Sequence, residues 1–133
     1  MKGTLIAAAS AAVLLSACAG HHRGPSAEAM LGPTKGNTTT GTVVFVQKGH
    51  DVEVTAHVAG LTPGAHGFHI HEKGDCSAPD GTSAGGHFNP TGKPHGSPEQ
   101  ADHHAGDLLQ LVADANGNAR QVSYIEGPTL GDG

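Results

Sequence analysis

The sequence predicts an all-β domain rich in loops, and three observations support this prediction. Between residues 38 and 60, β-branched runs alternate with polar residues. The chain carries 21 glycines and 8 prolines, which break helices and favour turns. Aromatic residues make up only 3% of the chain and Trp is absent. The core must therefore be built from Val, Leu, Ile and Ala, with Phe45, Phe68 and Phe88 as its large side chains.

Residues 1–17 have the pattern of an export signal. A basic start at Lys2 precedes a short apolar stretch, which ends in small residues before Cys18. The stretch is too short to cross a membrane as a helix. Its ending resembles the lipobox of bacterial lipoproteins, which implies cleavage before Cys18 and lipidation of that cysteine. An ordinary secretory signal cleaved nearby is the alternative, and both interpretations predict an exported protein.

Residues 18–37 are small and polar and show no sustained periodicity. This composition predicts a flexible tether. His21 and His22 could capture a metal ion there, but nothing nearby completes a ligand set, so we interpret them as a solvated pair. The folded domain is expected to occupy residues 38–133.

The first two strands are predicted from β-branched character and from alternation. The run TTTGTVVFVQKG ends at a turn signal, and the following run DVEVTAHVAG alternates apolar and polar residues. We expect the two runs to form a hairpin connected by residues 49–51. This places His50 in the turn and His57 on the solvent-facing side, so neither is expected to bind a metal ion.

The stretch GFHIH, residues 67–71, predicts a strand with two imidazoles on one face. Phe68 and Ile70 would point towards the core, and His69 and His71 would point the other way. Imidazole is the commonest metal ligand, and the period of two lets both rings reach one ion.

The next segment, residues 73–102, is long, rich in Gly and Pro, and lacks a strand pattern. Loops of that length are usually functional or disordered. Potential ligands lie within it and just after it: His87, His95, His103, His104 and Asp107. Three histidines and one carboxylate would supply a closed, tetrahedral zinc site that orders the loop.

Strand character resumes at LLQLVAD, residues 108–114, and Asn116-Gly117 predicts a tight hairpin turn. The formal net charge is −5, from 7 basic and 12 acidic residues, and the basic residues are not clustered. Nucleic acid is therefore not expected as a partner.

Four short motifs in this order resemble those of the Cu,Zn superoxide dismutases. They are GFHIH at 67–71, GHFNP at 86–90, KPHG at 93–96 and HAGD at 104–107. One such motif would be weak, but four at compatible spacing are specific. The similarity runs from about Thr38 to the last residue, and the export signal makes the chain similar to the bacterial, exported form.

The resemblance implies a Greek-key β-barrel or sandwich with a long metal-binding loop. It implies that superoxide is converted to dioxygen and hydrogen peroxide at a copper ion bridged to zinc. The implied copper ligands are His69, His71 and His87, and the implied zinc ligands are His87, His95, His104 and Asp107. His87 would be shared by both metals and would be the catalytic histidine.

Two neighbouring histidines receive other assignments. His104 is preferred to His103 as a ligand because only His104 keeps the family's two-residue gap to Asp107. His66 matches a family histidine that holds backbone near the copper ion and does not bind it.

The chain departs from the family pattern at its C-terminus. The family continues with further strands, which carry a fourth copper histidine, an arginine beside the copper and a cysteine that pairs with the one matched here by Cys76. We therefore expect a truncated chain that lacks the last strands and leaves Cys76 without that partner. A Cys18–Cys76 disulfide is open only if Cys18 escapes lipidation. Arg23 and Arg120 do not match the family arginine.

The implied substrate is the superoxide anion, and membrane contact is expected only through a lipid anchor in the bacterial periplasm or cell envelope. A monomer and a homodimer both stay open. The alternative function is non-catalytic copper and zinc binding by a lipid-anchored protein of the same fold, because the C-terminal copper ligand and arginine are absent. A His-rich lipoprotein without an ordered site would leave the motif spacing unexplained.

Overall fold

The computed structural model describes residues 24–131. The strands in this range are β1 (Ser26–Leu31), β2 (Thr40–Lys48), β3 (Asp51–Ala59), β4 (Gly64–His66), β5 (Leu111–Ala113) and β6 (Ala119–Glu126). One turn of 3-10 helix, Thr82–Ala84, is the single helical element of the described range, and no helix there has the length and apolar character needed to cross a membrane. The expected signal peptide, Cys18 and the His21-His22 pair lie outside the described residues.

Four strands form an antiparallel sheet in the order β1-β2-β3-β6, and β4 pairs with β5 in a second, two-stranded sheet. The chain passes through the second sheet and the long loop before it returns to pair β6 with β3. This connection is consistent with a Greek-key sandwich, and the predicted all-β fold is confirmed.

The β2–β3 hairpin forms as predicted, with Lys48 paired to Asp51 across the turn. His50 is exposed in that turn, and His57 is exposed on β3. The alternation of β3 decides which face is buried, because the apolar residues at every second position all face the core. These buried residues are Val52, Val54, Ala56 and Val58.

The core lies between the two sheets and is aliphatic. Besides the β3 residues, it contains Val43, Leu108, Leu111, Ala113, Ala119 and Ile125. Each fully buried valine or leucine contributes about 1.5–3 kcal/mol relative to an exposed one. The phenylalanines differ from the expectation. Phe45 and Phe68 only pack against this core while partly exposed, and Phe88 lies outside it.

The prediction of a flexible tether over residues 18–37 is wrong for Ser26–Leu31, which form β1. This strand pairs along its whole length with β2, from Ser26 with Val46 to Leu31 with Gly41. Residues 26–30 are exposed on both faces. Backbone pairing rather than side-chain burial holds β1 in place, so its sequence carries no alternation, and the ordered sheet begins at Ser26 rather than at Thr38.

The tight turn at Asn116-Gly117 is present, but it does not form a simple hairpin. Gly117 has a φ of +78° and donates its N–H to the Asp114 carbonyl at 3.0 Å. The strands on either side belong to different sheets, because β5 pairs with β4 whereas β6 pairs with β3. The turn is therefore a connection between sheets.

Candidate metal centre

Three separate segments of the chain are joined around the potential ligands. Backbone hydrogen bonds run from Ile70 N–H to the Gly106 carbonyl, from Gly106 N–H to the Phe88 carbonyl and from Phe88 N–H to the Ile70 carbonyl, each 2.8 Å long. Single β-bridges pair His69 with Asp107 and His71 with His87. Four of the potential ligands thus lie at paired backbone positions, whereas His95 and His104 lie in the loop.

The strand predicted over residues 67–71 is shorter than expected. The regular strand ends at His66, and only His69 and His71 make isolated bridges beyond it. The predicted alternation nevertheless holds: Phe68 and Ile70 pack against the core, while His69 and His71 approach the ring of His87. The local pleat, and not a continuous ladder, sets these directions.

Asp107 lies at the centre of one group of side chains. Its Oδ1 atom is 2.9 Å from Nδ1 of His87, 3.0 Å from Nδ1 of His95 and 3.5 Å from Nδ1 of His104. The Nδ1 atoms of His87 and His104 are 3.3 Å apart. Three imidazole nitrogens therefore converge on one carboxylate oxygen.

Asp107 is only 1% exposed, and backbone groups hold its second oxygen. Oδ2 accepts hydrogen bonds from the Gly96 N–H and the His104 N–H, both at 3.0 Å. Burial raises the pKa of the Asp107 carboxyl, but these two backbone bonds, the bond from His87 and the charge interaction with His95 outweigh it. The net pKa of Asp107 lies well below its usual range, so the side chain is a carboxylate. Its Oδ1 atom faces the three imidazoles.

His87 is the central ring of the cluster. Its centroid lies 4.0 Å from that of His69, 5.3 Å from His71, 5.2 Å from His95 and 5.4 Å from His104. The rings of His69 and His87 are stacked, with 20° between their planes. Because His87 directs Nδ1 towards Asp107, its Nε2 at the other end of the ring is left for a second partner.

The two histidines of the GFHIH stretch have different surroundings. Burial, followed by the neighbouring His87 ring, lowers the pKa of His69 and so favours its neutral, metal-binding form. His71 donates from Nδ1 to the Gly85 carbonyl at 2.9 Å, because a carbonyl oxygen can only accept. The neutral ring then carries its lone pair on Nε2, as metal-binding histidines with such a partner do.

The predicted site residues are therefore mostly brought together. The ligand atoms of His69, His87, His95 and Asp107 all lie within 4.8 Å of one another. His104 joins them through Asp107, and His71 approaches the group through the ring of His87. Their assignment to particular metals stays a prediction.

Three other predicted residues lie apart from the cluster. His103 turns away and bonds the His104 carbonyl through Nδ1 at 2.7 Å, and His66 donates from Nε2 to the Thr62 carbonyl at 2.7 Å. Cys76 is exposed and makes no disulfide with another described residue. Both rings thus bond backbone carbonyls, and the roles assigned to His103 and His66 stay predictions.

The donor set fits a zinc ion on chemical grounds. A tetrahedral ion with bonds of about 2.0–2.1 Å holds its ligand atoms about 3.3 Å apart. The three distances from Asp107 Oδ1 to the Nδ1 atoms and the distance between Nδ1 of His87 and Nδ1 of His104, between 2.9 and 3.5 Å, bracket that value. The imidazoles of His69 and His71 suit copper or zinc equally.

An open cleft of about 760 Å³ lies beside His69 and His95. Phe68, Leu108 and Leu109 also line it, together with Glu99. Among the described residues that line this cleft, none is Lys or Arg. The cleft gives small molecules access to the cluster but supplies no cationic side chain there.

Sequence reasoning missed the backbone groups that support the ligands. The Gly96 N–H and the Gly85 carbonyl hold Asp107 and His71, and neither offers a side chain that could have marked it. The only available signal was the presence of glycine within the GHFNP-like and KPHG-like motifs or beside them. A glycine in such a motif shows that backbone approaches closely but not which atom it holds.

Comparison with known proteins agrees with this geometry. Residues 39–132 match the family described as Copper/zinc superoxide dismutase (SODC). The chain is 49% identical over 80 residues to superoxide dismutase [Cu-Zn] 2 of Brassica juncea, which covers 59% of this chain and 52% of that protein. It is 46% identical over 102 residues to superoxide dismutase [Cu-Zn] of Paramecium bursaria Chlorella virus 1, covering 74% of this chain and 51% of the viral protein.

A third relative, the extracellular superoxide dismutase [Cu-Zn] of Onchocerca volvulus, is 42% identical over 100 residues, which cover 72% of this chain and 49% of the nematode protein. The chain spans about half the length of the curated relatives it matches. The family match covers more than half of the chain, including every histidine of the cluster. The chain belongs to the copper/zinc superoxide dismutase family.

Proposed function

We propose that this protein removes superoxide, converting it to dioxygen and hydrogen peroxide at a paired copper and zinc site. The observation that carries the proposal is the central position of His87. Its ring lies next to two histidines that we assign to copper and two that we assign to zinc: His69 and His71, and His95 and His104. Family membership and the names of the three relatives support it. When bound, copper supplies one-electron redox chemistry and zinc supplies a fixed positive charge.

The zinc ligands in this proposal are those whose atoms surround Asp107 Oδ1: His87, His95, His104 and Asp107 itself. Tetrahedral spacing and a carboxylate buried with satisfied hydrogen bonds support this assignment. The Gly96 and His104 N–H groups fix Oδ2, so the direction of Oδ1 does not depend on the surrounding loop side chains. Asp107 thereby orients His87 through a 2.9 Å contact.

The copper ligands are His69, His71 and His87. The stacked contact of His69 with His87 and the Nε2 lone pair of His71 support this assignment. We assign to His87 the catalytic role of holding and releasing a proton at Nε2, because its Nδ1 already faces Asp107. Peroxide formation consumes protons, so a ring that can hold one beside the reacting centre serves the reaction.

Superoxide consumption by the copper- and zinc-loaded protein, compared with the same concentration of free copper, tests this function. Faster consumption than free copper, lost in the His71→Gln variant, is the expected result. Metal binding with no gain over free copper would favour the second candidate, a non-catalytic copper and zinc binder. The cleft favours that candidate, because none of its described lining residues offers a cation to attract the superoxide anion.

We also propose that the protein is exported to the bacterial periplasm or cell envelope and held there by lipid at Cys18. The basic start and short apolar stretch of residues 1–17, and the small residues before Cys18, support this. One relative is itself named an extracellular enzyme. Mass spectrometry of the mature N-terminus tests the proposal: a lipidated Cys18 is expected, and an unmodified N-terminus at another residue would contradict it.

A further inference from the structure

A closed cycle of three backbone hydrogen bonds lies directly beneath the histidine cluster. The bonds join Ile70, Gly106 and Phe88, and each residue both donates its N–H to one member and accepts through its carbonyl from the other. All three distances are 2.8 Å, near the short end of the usual range for N–H···O bonds. The cycle connects segments 18 residues apart along the chain, so it is a tertiary contact and not part of a local turn.

Each member of the cycle is a chain neighbour of at least one cluster residue. Ile70 stands between His69 and His71, Phe88 follows His87, and Gly106 precedes Asp107. Ile70 and Phe88 adjoin bridge-paired residues, where consecutive side chains point to opposite sides, and Gly106 lies in the turn directly before Asp107. The cycle thus fixes the backbone of the three segments that carry these ligands. Two more bonds, from Leu108 N–H to Phe68 O and from Glu72 N–H to Gly86 O, flank the cycle.

Gly106 is the member that only glycine can occupy. A Cβ atom there would overlap the Ile70 carbonyl oxygen and would lie 3.0 Å from the Phe88 nitrogen, the acceptor and the donor of the hydrogen bond between the other two members. Backbone cannot turn away as a flexible side chain can. Any larger residue at position 106 must therefore push the three segments apart.

We propose that Gly106 is a positioning residue, which sets the spacing of the metal ligands before a metal ion binds. The inference rests on the proposed metal-binding function and deepens it. Metal-to-ligand distances tolerate a spread of only about 0.2 Å, so even a small separation of the three segments would move the ligand atoms out of range of one ion. The sequence predicts a loop that zinc orders, whereas this cycle holds the segments with bonds of their own.

The test compares two substitutions, Gly106→Ala and Gly86→Ala, in the full chain. Gly86 is the matched control: it adjoins His87, and a Cβ there would meet no atom within 4 Å. Zinc affinity, measured with zinc alone by competition with a chelating dye, is expected to fall by about 10–100-fold in Gly106→Ala, as for other changes behind metal ligands. It should stay within about threefold in Gly86→Ala. Equal affinity in Gly106→Ala and the unsubstituted protein would overturn the proposal.

A second readout separates positioning from simple loss of stability. The visible absorption of bound Co²⁺ reports its coordination geometry, so we expect an altered spectrum in Gly106→Ala and an unchanged one in Gly86→Ala. An unchanged spectrum with a lower melting temperature would show a purely structural role and overturn the proposal. Failure of the unsubstituted protein to bind zinc or Co²⁺ would refute the proposed metal site instead.

Amide hydrogen exchange in the unsubstituted, metal-free protein tests the same proposal if Gly106→Ala does not fold. We expect the amides of Ile70, Phe88 and Gly106 to be protected without metal. Rapid exchange at all three, slowed only after zinc is added, would show that the metal assembles the segments and would overturn the proposal.

Discussion

The Nδ1 atom of His87 lies 2.9 Å from Oδ1 of Asp107, and the face of the same ring stacks on His69 at 4.0 Å. One side chain thus contacts both groups of potential ligands. A change at His87 should disturb both groups, whereas a change elsewhere in the cluster should disturb one.

Replacement of His87 by Gln should reduce both copper and zinc content, because its ring is the one shared by the two proposed ligand sets. His95→Gln should reduce zinc alone, and His71→Gln should reduce copper alone. Elemental analysis of the purified proteins after metal loading checks this pattern. His103→Gln is the control, because that ring bonds the His104 carbonyl and should leave both metal contents unchanged. Retention of full copper content by His87→Gln would contradict the shared role.

Replacement of Asp107 by Asn should lower zinc affinity by more than the about 10–100-fold typical of residues behind the ligands, because it removes a proposed ligand itself. Asn keeps one oxygen, so it cannot both accept from the Gly96 and His104 N–H groups and present an oxygen to the imidazoles. Asp102→Asn serves as the control in the same loop, since that side chain is 73% exposed. Similar zinc affinities in the two variants, measured by competition titration, would argue against the assignment.

Tyr124 should titrate above the ordinary tyrosine pKa of about 10. Its hydroxyl donates to Glu53 Oε2 at 2.8 Å, and this hydrogen bond together with the carboxylate charge raises the pKa of Tyr124. Because the folded-state pKa is raised, the contribution to stability is complete below the unfolded pKa and is lost as pH rises through the folded one.

Absorbance at 295 nm measures this titration without interference, because the chain has one Tyr and no Trp. Glu53→Gln should return the pKa of Tyr124 towards its ordinary value, whereas Glu28→Gln on β1 should leave it unchanged. Identical titration curves for the three proteins would show that the Glu53 contact does not persist in solution.

Gly117→Ala should destabilise the fold by about 1–3 kcal/mol, the usual cost of forcing a residue with a side chain into a left-handed conformation. Its φ is +78°, and an added Cβ would overlap the Leu61 carbonyl oxygen. Gly32→Ala is the control, because a Cβ there meets nothing within 4 Å. Denaturant unfolding of the metal-free proteins measures the difference, and equal midpoints would count against this account of the turn.

Much of the fold was predictable because it depends on side-chain burial. The alternation of β3 specifies which residues face the core, and the spacing of His69 and His71 specifies their common side. By contrast, β1 was not predictable, because its residues 26–30 are exposed on both faces and only the ladder to β2 holds them.

In the candidate site, too, the contributions of side chains could be predicted, whereas those of the backbone could not. The histidines and Asp107 could be named as candidate ligands from the sequence, since imidazole and carboxylate are groups that bind metal ions, and the family motifs implied which of them belong together. The Gly106 cycle and the Gly96 N–H could not, because they act through backbone atoms that every residue shares. Only the packing around them reveals that glycine is required there.

Because β1 begins at Ser26, the segment that would connect a lipid anchor at Cys18 to the folded domain is shorter than residues 18–37. Pro25 already accepts a hydrogen bond from the Gln47 N–H, beside the β2–β3 turn, so only the chain between Cys18 and Gly24 remains to span the gap. At about 3.6 Å per residue, that gap is at most about 22 Å, against about 70 Å for a free segment of residues 18–37. An anchored protein would therefore hold its β2–β3 turn close to the bilayer surface.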